Sequence, residues 1–134
     1  MVFGKCSPDG IIEFCIAGHN PPILLQENNV TKIKATGVPV GLFCGSEYEI
    51  TRHKMEPGNS VLVYTDGITE SFSNGTEYGE ERLIDSFLQS GNKPPDLLLE
   101  SLFNAHSVFM KSEKPSDDVT VAVLKKLQLS NRNS

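Results

Sequence analysis

The feature that most constrains the fold is a short apolar run at residues 61–64, which follows Pro57-Gly58 and ends at Thr65-Asp66-Gly67. Four consecutive apolar residues between turn residues are typical of a strand covered on both faces, because a half-exposed strand alternates apolar and polar residues. Such a strand needs a packed layer on each side of its sheet. The sequence therefore predicts an interior strand, with Asp66 directly after its end where a glycine-containing bend begins.

Short β-type segments bounded by turn residues come before this strand. They lie at residues 2–6, 11–17, 23–26, 30–34 and 48–55. The first two flank Ser7-Pro8-Asp9-Gly10, a composition that favours a hairpin turn. We therefore expect a meander of antiparallel strands.

Two helices and a last strand follow. Residues 80–90 have apolar side chains at helical spacing and end at Gly91, and a second helix runs from Pro94-Pro95 to about Lys111. One face of the second helix is predicted to contain Leu98, Leu102, Ala105 and Phe109. The last strand starts near Asp117-Asp118, with alternate valines at 119, 121 and 123 on one face. The order of elements indicates one α+β domain.

Composition and charge argue against two classes of function. The 134 residues contain 12 Lys and Arg against 17 Asp and Glu, a net charge of -5, so we expect no nucleic acid partner. No stretch approaches the roughly 18 uninterrupted apolar residues of a membrane span, and the first residues do not resemble a signal peptide. We therefore expect a cytoplasmic protein without a membrane span.

The three cysteines, Cys6, Cys15 and Cys44, are predicted to be free thiols. They lack Cys-x-x-Cys spacing, which argues against a structural zinc site. If Cys6 pairs with Ile11 in the hairpin, Cys15 faces Val2, too far from Cys6 for a disulfide. No cysteine is followed by arginine at the Cys-x5-Arg spacing of a phosphate loop, so a cysteine nucleophile is not expected.

Acidic residues stand at two strand ends that an antiparallel sheet can bring to one rim. Asp66 ends one strand and Asp117-Asp118 begins another. Aspartates without cysteine or several histidines suit Mg²⁺ or Mn²⁺ better than zinc, and Gly67 would let the backbone pass close to such an ion. Each motif alone is more often a simple turn or an exposed strand entrance, so the residues leave both interpretations open.

Five motifs in order carry a more specific signal. They are AGHNPPILL (17–25), GVPVGLF (37–43), PGNSVLVYTDGITES (57–71), YGEERL (78–83) and DDVTVAVL (117–124). Together they resemble the PPM-type metal-dependent serine/threonine phosphatases of the bacterial SpoIIE/RsbU-like branch. The resemblance covers residues 1–127 and leaves a polar tail at 128–134. It implies two antiparallel sheets flanked by helices, an α-β-β-α sandwich with two Mn²⁺ or Mg²⁺ ions that activate water to attack phosphoserine or phosphothreonine.

The resemblance also implies roles for individual residues. Asp66 and Asp117 match metal ligands, and Gly67 and Asp118 match supporting positions. His19 is a candidate general acid, although a histidine in Gly-His-Asn-Pro-Pro more often shapes its loop. Family domains begin with Gly-Asp-x-x-Asp-like and Asp-x-x-Gly-His-Gly-like motifs, which do not occur here. We therefore expect the C-terminal portion of such a domain, with the N-terminal part and some metal ligands missing.

His53 and His106 have no companion at ligand spacing, so we expect both to be structural or solvated.

Partners and alternatives follow from the same resemblance. The usual substrate in this branch is a phosphorylated regulatory protein, a STAS-type anti-sigma-factor antagonist, and upstream sensor domains are common.

A haloacid-dehalogenase-like enzyme is disfavoured because Tyr64 stands where its nucleophilic aspartate would be. A non-catalytic binding module of the same fold remains the alternative: the missing aspartates favour it, while two acidic strand ends that repel each other without a cation disfavour it.

Overall fold

The computed structural model describes residues 1–128, in which nine strands and three helices are present. In chain order they are β1 (Val2–Cys6), β2 (Ile11–Ile16), β3 (Ile23–Gln26), β4 (Asn29–Lys32), β5 (Thr51–Lys54), β6 (Ser60–Tyr64), α1 (Asp66–Thr69), β7 (Phe72–Ser73), β8 (Thr76–Glu77), α2 (Gly79–Ser90), α3 (Pro95–Met110) and β9 (Val121–Lys125). The predicted tail at 128–134 lies outside the described residues apart from Gln128.

The strands form two main antiparallel sheets. One has the order β1-β2-β5 and the other β4-β3-β6-β9, while β7 and β8 form a small hairpin. β6 lies between β3 and β9, so the apolar run at 61–64 is an interior strand, as its pattern predicts.

Both faces of β6 are packed. Leu62 and Tyr64 belong to an apolar cluster that includes residues of α2 and α3. Val61 and Val63 contact a second cluster, which includes residues of β2 and β3. The layers are therefore helices, four-stranded sheet and three-stranded sheet. This confirms the predicted α+β sandwich, and in residues 1–128 both long helices lie on the four-stranded sheet.

The predicted register of the first hairpin is wrong by one residue. Cys6 pairs with Ile12 rather than Ile11, and Cys15 is opposite Phe3 rather than Val2. The turn takes one more residue because the backbone N–H of Ser7 donates to Ile11 across it, at 2.9 Å. The prediction of free thiols is confirmed for all three cysteines.

Other boundaries differ from the predictions. β5 covers only Thr51–Lys54, and β9 begins at Val121 instead of near Asp117. Where the sequence predicts a bend after β6, the chain forms the one-turn helix α1.

The buried face of α3 is rotated from the predicted one. It consists of Leu98, Leu102, His106 and Met110, four residues apart, while Ala105 and Phe109 are half-buried. His106 is therefore a buried residue of this helix. No helix in residues 1–128 is long and apolar enough to cross a membrane.

Candidate functional site

Thr65 ties the end of β6 to the segment that precedes β9. Its backbone N–H donates to the carbonyl of Thr120 at 3.0 Å, and its Oγ1 accepts from the backbone N–H of Thr120 at 3.0 Å. The same Oγ1 lies 3.3 Å from the carbonyl oxygen of Asp118. The two acidic strand ends therefore meet at one rim, as the sequence predicts. Thr65 was not among the predicted site residues, although its hydroxyl at the end of an interior strand was the available signal.

Gly67 packs directly against Asp118. A β-carbon at Gly67 would overlap the carbonyl oxygen of Asp118 and lie 2.8 Å from its carbonyl carbon. The close approach of this backbone requires a glycine, because no side chain fits. Gly67 was predicted to let the backbone pass close to an ion, and the close approach that the structure shows is to the Asp118 carbonyl.

The carboxylates of the site are exposed. Asp66 begins α1, and its carbonyl accepts from the N–H of Glu70 at 2.7 Å and from the Thr69 hydroxyl at 3.2 Å. Asp117 accepts the backbone N–H of Asp118 on Oδ1 at 2.7 Å. The Asp66 side chain takes no part in these bonds.

The carboxylates supply only part of a coordination sphere. Oxygen donors of this kind match hard divalent cations such as Mg²⁺ and Mn²⁺. Within residues 1–128, however, no three or more His, Cys, Asp or Glu residues are close enough together to hold a metal ion. The predicted cluster of Asp66, Asp117 and Asp118 is therefore not formed as a three-ligand group. The donor set fits such a cation in chemical type and is incomplete in number.

A polar pocket of about 140 Å³ opens beside Asp66 and is lined by Gly18, His19, Asn20, Thr65 and Asp66. His19 Nδ1 lies 3.0 Å from the carbonyl oxygen of Asn20. Because a carbonyl only accepts, Nδ1 carries a proton in this arrangement. The structure thus brings His19 and Asp66 into one pocket and fixes the His19 ring through its own loop.

The pocket wall at Gly18 is held by the loop that follows β4. The N–H of Gly18 donates to the carbonyl of Gly37 at 3.0 Å. Gly18 has a φ of 57° and no space for a side chain, since Cδ of Pro39 would be 2.7 Å from its β-carbon. The GVPVGLF motif therefore supports the His19 loop by direct packing.

The first turn of α2 is anchored to the end of β6. Tyr64 donates its hydroxyl to Glu80 Oε1 at 2.5 Å, and Lys32 forms an ion pair with the same carboxylate. Burial, reinforced by the Glu80 carboxylate, raises the pKa of Tyr64, so its hydroxyl remains a donor. Burial alone would raise the pKa of Glu80, but hydrogen bonds from Lys32 and Tyr64 outweigh it and hold that pKa below its ordinary value. Glu80 is thus the residue of YGEERL that fixes α2 against the strand leading to Asp66.

Comparison with known proteins places this arrangement in a family. The family model of stage II sporulation protein E matches residues 1–127. Protein IcfG of Synechocystis is 29% identical over 92 residues, which are 67% of this chain and 14% of that protein. Stage II sporulation protein E of Bacillus subtilis is 22% identical over 120 residues, 87% of this chain and 14% of that protein. The chain thus spans about one seventh of these relatives.

Solved structures share the fold. The RsbU and RsbW domains of Rv1364c from Mycobacterium tuberculosis superpose with a TM-score of 0.73 at 21% identity, over 96% of this chain and 36% of that one. The SiaA-PP2C domain of Pseudomonas aeruginosa superposes with a TM-score of 0.75 at 17% identity, over 87% of this chain and 47% of that one. The manganese-presoaked SpoIIE phosphatase domain of Bacillus subtilis superposes with a TM-score of 0.68 at 19% identity, over 97% of this chain and 57% of that one. The fold is thus that of PP2C phosphatase domains. Because the SpoIIE family model matches residues 1–127, the chain belongs to the SpoIIE family.

Proposed function

We propose that the domain containing this chain removes phosphate from a phosphoserine or phosphothreonine of a regulatory protein, with the help of Mn²⁺ or Mg²⁺. One observation carries the proposal. The acidic ends of β6 and β9 meet through Thr65 and Thr120, beside the polar pocket of His19 and Asp66. The family's phosphatase fold supports the same conclusion.

Asp66 and Asp117 would hold the cation, with Gly67 and Asp118 in support. When bound, the cation would act as a Lewis acid that activates water and balances phosphate charge. This chain covers 57% of the SpoIIE phosphatase domain, so we propose that the remainder of such a domain contributes the other ligands.

The residues of this chain would position the reacting groups. Thr65 fixes the end of β6, which sets where Asp66 leaves the sheet. Asn20 lines the pocket and offers an amide donor to a phosphate oxygen. His19 is oriented by its bond to the Asn20 carbonyl, which suits a loop-shaping role and also leaves Nε2 for proton transfer.

A protein substrate is favoured by the surface beside the pocket. Pro39, which packs on Gly18, lies in a loop with exposed apolar side chains. These are Val38, Val40, Leu42 and Phe43, and the last is 64% exposed. Aromatic and aliphatic side chains of this kind are common in the cores of protein interfaces. We propose a phosphorylated STAS-type anti-sigma-factor antagonist in the cytoplasm as the substrate, with an upstream sensor domain in control.

The experiment measures phosphate release from a phosphoserine protein of the STAS type by the complete phosphatase domain that contains this chain, with and without Mn²⁺. Asp66→Asn and Asp117→Asn should reduce release to near background, because each removes a ligand charge. Asp85→Asn, an exposed position on α2, is the matched control and should retain activity. Normal turnover by Asp66→Asn would overturn the assignment of that ligand.

The alternative is a binding module without catalysis. It is favoured by the absence of a three-ligand group in the described 128 residues. Calorimetric binding of the phosphorylated protein by the complete domain, without any release of phosphate in Mn²⁺ or Mg²⁺, would establish the module and exclude the enzyme.

A further inference from the structure

A buried hydrogen-bonded chain runs from α3 to the turn that carries Asp66. His106 is 6% exposed, and its Nε2 lies 2.9 Å from the hydroxyl oxygen of Ser71. Ser71 is fully buried, and the same hydroxyl oxygen lies 2.7 Å from the carbonyl oxygen of Gly67. The three groups connect elements that are far apart in sequence, since His106 and Ser71 are separated by 35 residues.

The direction of both hydrogen bonds follows from the chemistry of the groups. The Gly67 carbonyl only accepts, so the Ser71 hydroxyl donates its single proton to it. The Ser71 oxygen must then accept from His106, which places a proton on Nε2 of the ring. The ring also packs against the ring of Tyr78 in a T-shaped arrangement, with centroids 5.0 Å apart and planes at 84°. Burial lowers the pKa of His106, which favours the neutral ring.

The target of this chain of bonds is a helix too short to hold its own shape. α1 has four residues, and a single turn fixes many dihedral angles for very few internal hydrogen bonds. Its geometry must therefore come from its surroundings. Thr65 and Asp118 hold one side, and Ser71 holds the Gly67 carbonyl.

A space-filling role alone does not account for a histidine at position 106. Its neighbours on the buried face of α3, Leu98, Leu102 and Met110, are all apolar. An imidazole in that row carries a desolvation cost that an apolar side chain avoids, unless it makes a hydrogen bond. The bond that it makes is the one to Ser71.

We propose that His106 is a positioning residue, which acts through Ser71 on the Gly67 carbonyl and so sets the direction of the Asp66 carboxylate. The part of this inference that concerns cation binding rests on the proposed function. The part that concerns the turn does not, because it can be measured without metal.

The variants separate the hydrogen bond from the packing. His106→Gln keeps an N–H donor at about the reach of Nε2, whereas His106→Phe keeps a ring against Tyr78 without a donor. Ser71→Ala removes the relay hydroxyl. Leu102→Ala damages the same face of α3 without touching the relay and controls for loss of core packing.

Mn²⁺ affinity of the complete domain is measured by electron paramagnetic resonance, at a temperature where every variant is folded. We expect His106→Phe and Ser71→Ala each to weaken Mn²⁺ binding about tenfold, as is usual when a residue supporting a metal ligand is lost. The double variant with Ser71→Ala and His106→Phe should bind Mn²⁺ about as weakly as either single variant, because both substitutions break the same chain of hydrogen bonds. His106→Gln and Leu102→Ala should bind Mn²⁺ much as the unsubstituted domain does.

The metal-free readout is nuclear magnetic resonance. The ring nitrogen shifts of His106 should report a proton on Nε2, and the shifts of residues 66–68 should move in His106→Phe but not in His106→Gln. A proton on Nδ1 alone, or unchanged shifts at 66–68 in His106→Phe, would overturn the proposal. Unchanged Mn²⁺ affinity in His106→Phe would overturn the proposed effect of His106 on the cation site. If the unsubstituted domain bound no Mn²⁺, that result would count against the proposed function instead.

Discussion

The carbonyl oxygen of Asp118 lies in the space that a β-carbon on Gly67 would need. The contact joins two backbone segments, and the neighbouring bonds between Thr65 and Thr120 restrain both of them. Neither segment can retreat without breaking these bonds. The turn that carries Asp66 and the segment that carries Asp117 are therefore held in direct backbone contact.

Gly67→Ala should destabilise the protein and disturb the site together. The added methyl overlaps backbone atoms, and overpacking of this kind typically costs about 1–3 kcal/mol. Urea unfolding would give the free energy of unfolding, and Mn²⁺ binding by the complete domain would report the site. Gly91→Ala is the control, because the atom nearest its methyl is the end of the Leu25 side chain, while the backbone atoms there are no nearer than 3.5 Å. Equal unfolding midpoints for Gly67→Ala and the unsubstituted protein would contradict the steric argument.

Thr65→Val should loosen the segment before β9. Valine keeps the shape of threonine but cannot accept from the N–H of Thr120, and a hydrogen bond of this kind contributes about 1 kcal/mol. Hydrogen exchange at the Thr120 amide should become faster, while Thr65→Ser, which retains the hydroxyl, should exchange nearly as slowly as the unsubstituted protein. Unchanged exchange in Thr65→Val would mean that the side-chain bond does not restrain this segment.

Glu80 should make stability depend on pH in the acidic range. Burial alone would raise its pKa, but Lys32 and Tyr64 lower it below the ordinary 4.5, so the folded protein binds this proton less readily than the unfolded chain. The stabilisation is thus complete above about pH 4.5 and is lost as the pH falls through the lower folded pKa. Urea unfolding between pH 3 and 6 should show a shallower pH dependence for Glu80→Gln. Identical slopes for the two proteins would exclude this contribution.

His19→Asn should keep most of the activity of the complete domain. Asparagine can donate to the Asn20 carbonyl from nearly the same position as Nδ1, so the loop is expected to keep its shape. The loss should stay well below the roughly 10²- to 10⁴-fold effect of removing a general acid. The pH profile of kcat measures this directly, and disappearance of its alkaline limb in His19→Asn would identify His19 as the proton donor.

Local pattern was sufficient for the interior strand and the two long helices, whereas the layering of two sheets was implied only by the family resemblance. The apolar run at 61–64 predicted an interior strand because burial on both faces leaves no polar alternation, and helical spacing located α2 and α3 to within a residue or two. The hairpin register was wrong, and the predicted face of α3 included the buried Leu98 and Leu102 but missed His106 and Met110. The register depended on the Ser7 to Ile11 bond, and the helix face depended on the partner that His106 finds in Ser71.

The sequence by itself determined that Asp66 follows a buried strand and that Asp117-Asp118 precedes a second strand with alternating valines, because both patterns can be read from neighbouring residues. Only the tertiary structure decided what holds these carboxylates. Thr65 contacts Thr120 across 55 residues, Gly67 makes room for the Asp118 carbonyl, and His106 reaches the same turn through Ser71. Such contacts depend on which backbone and side-chain groups meet in space, and hydrophobic periodicity carries no information about those pairings.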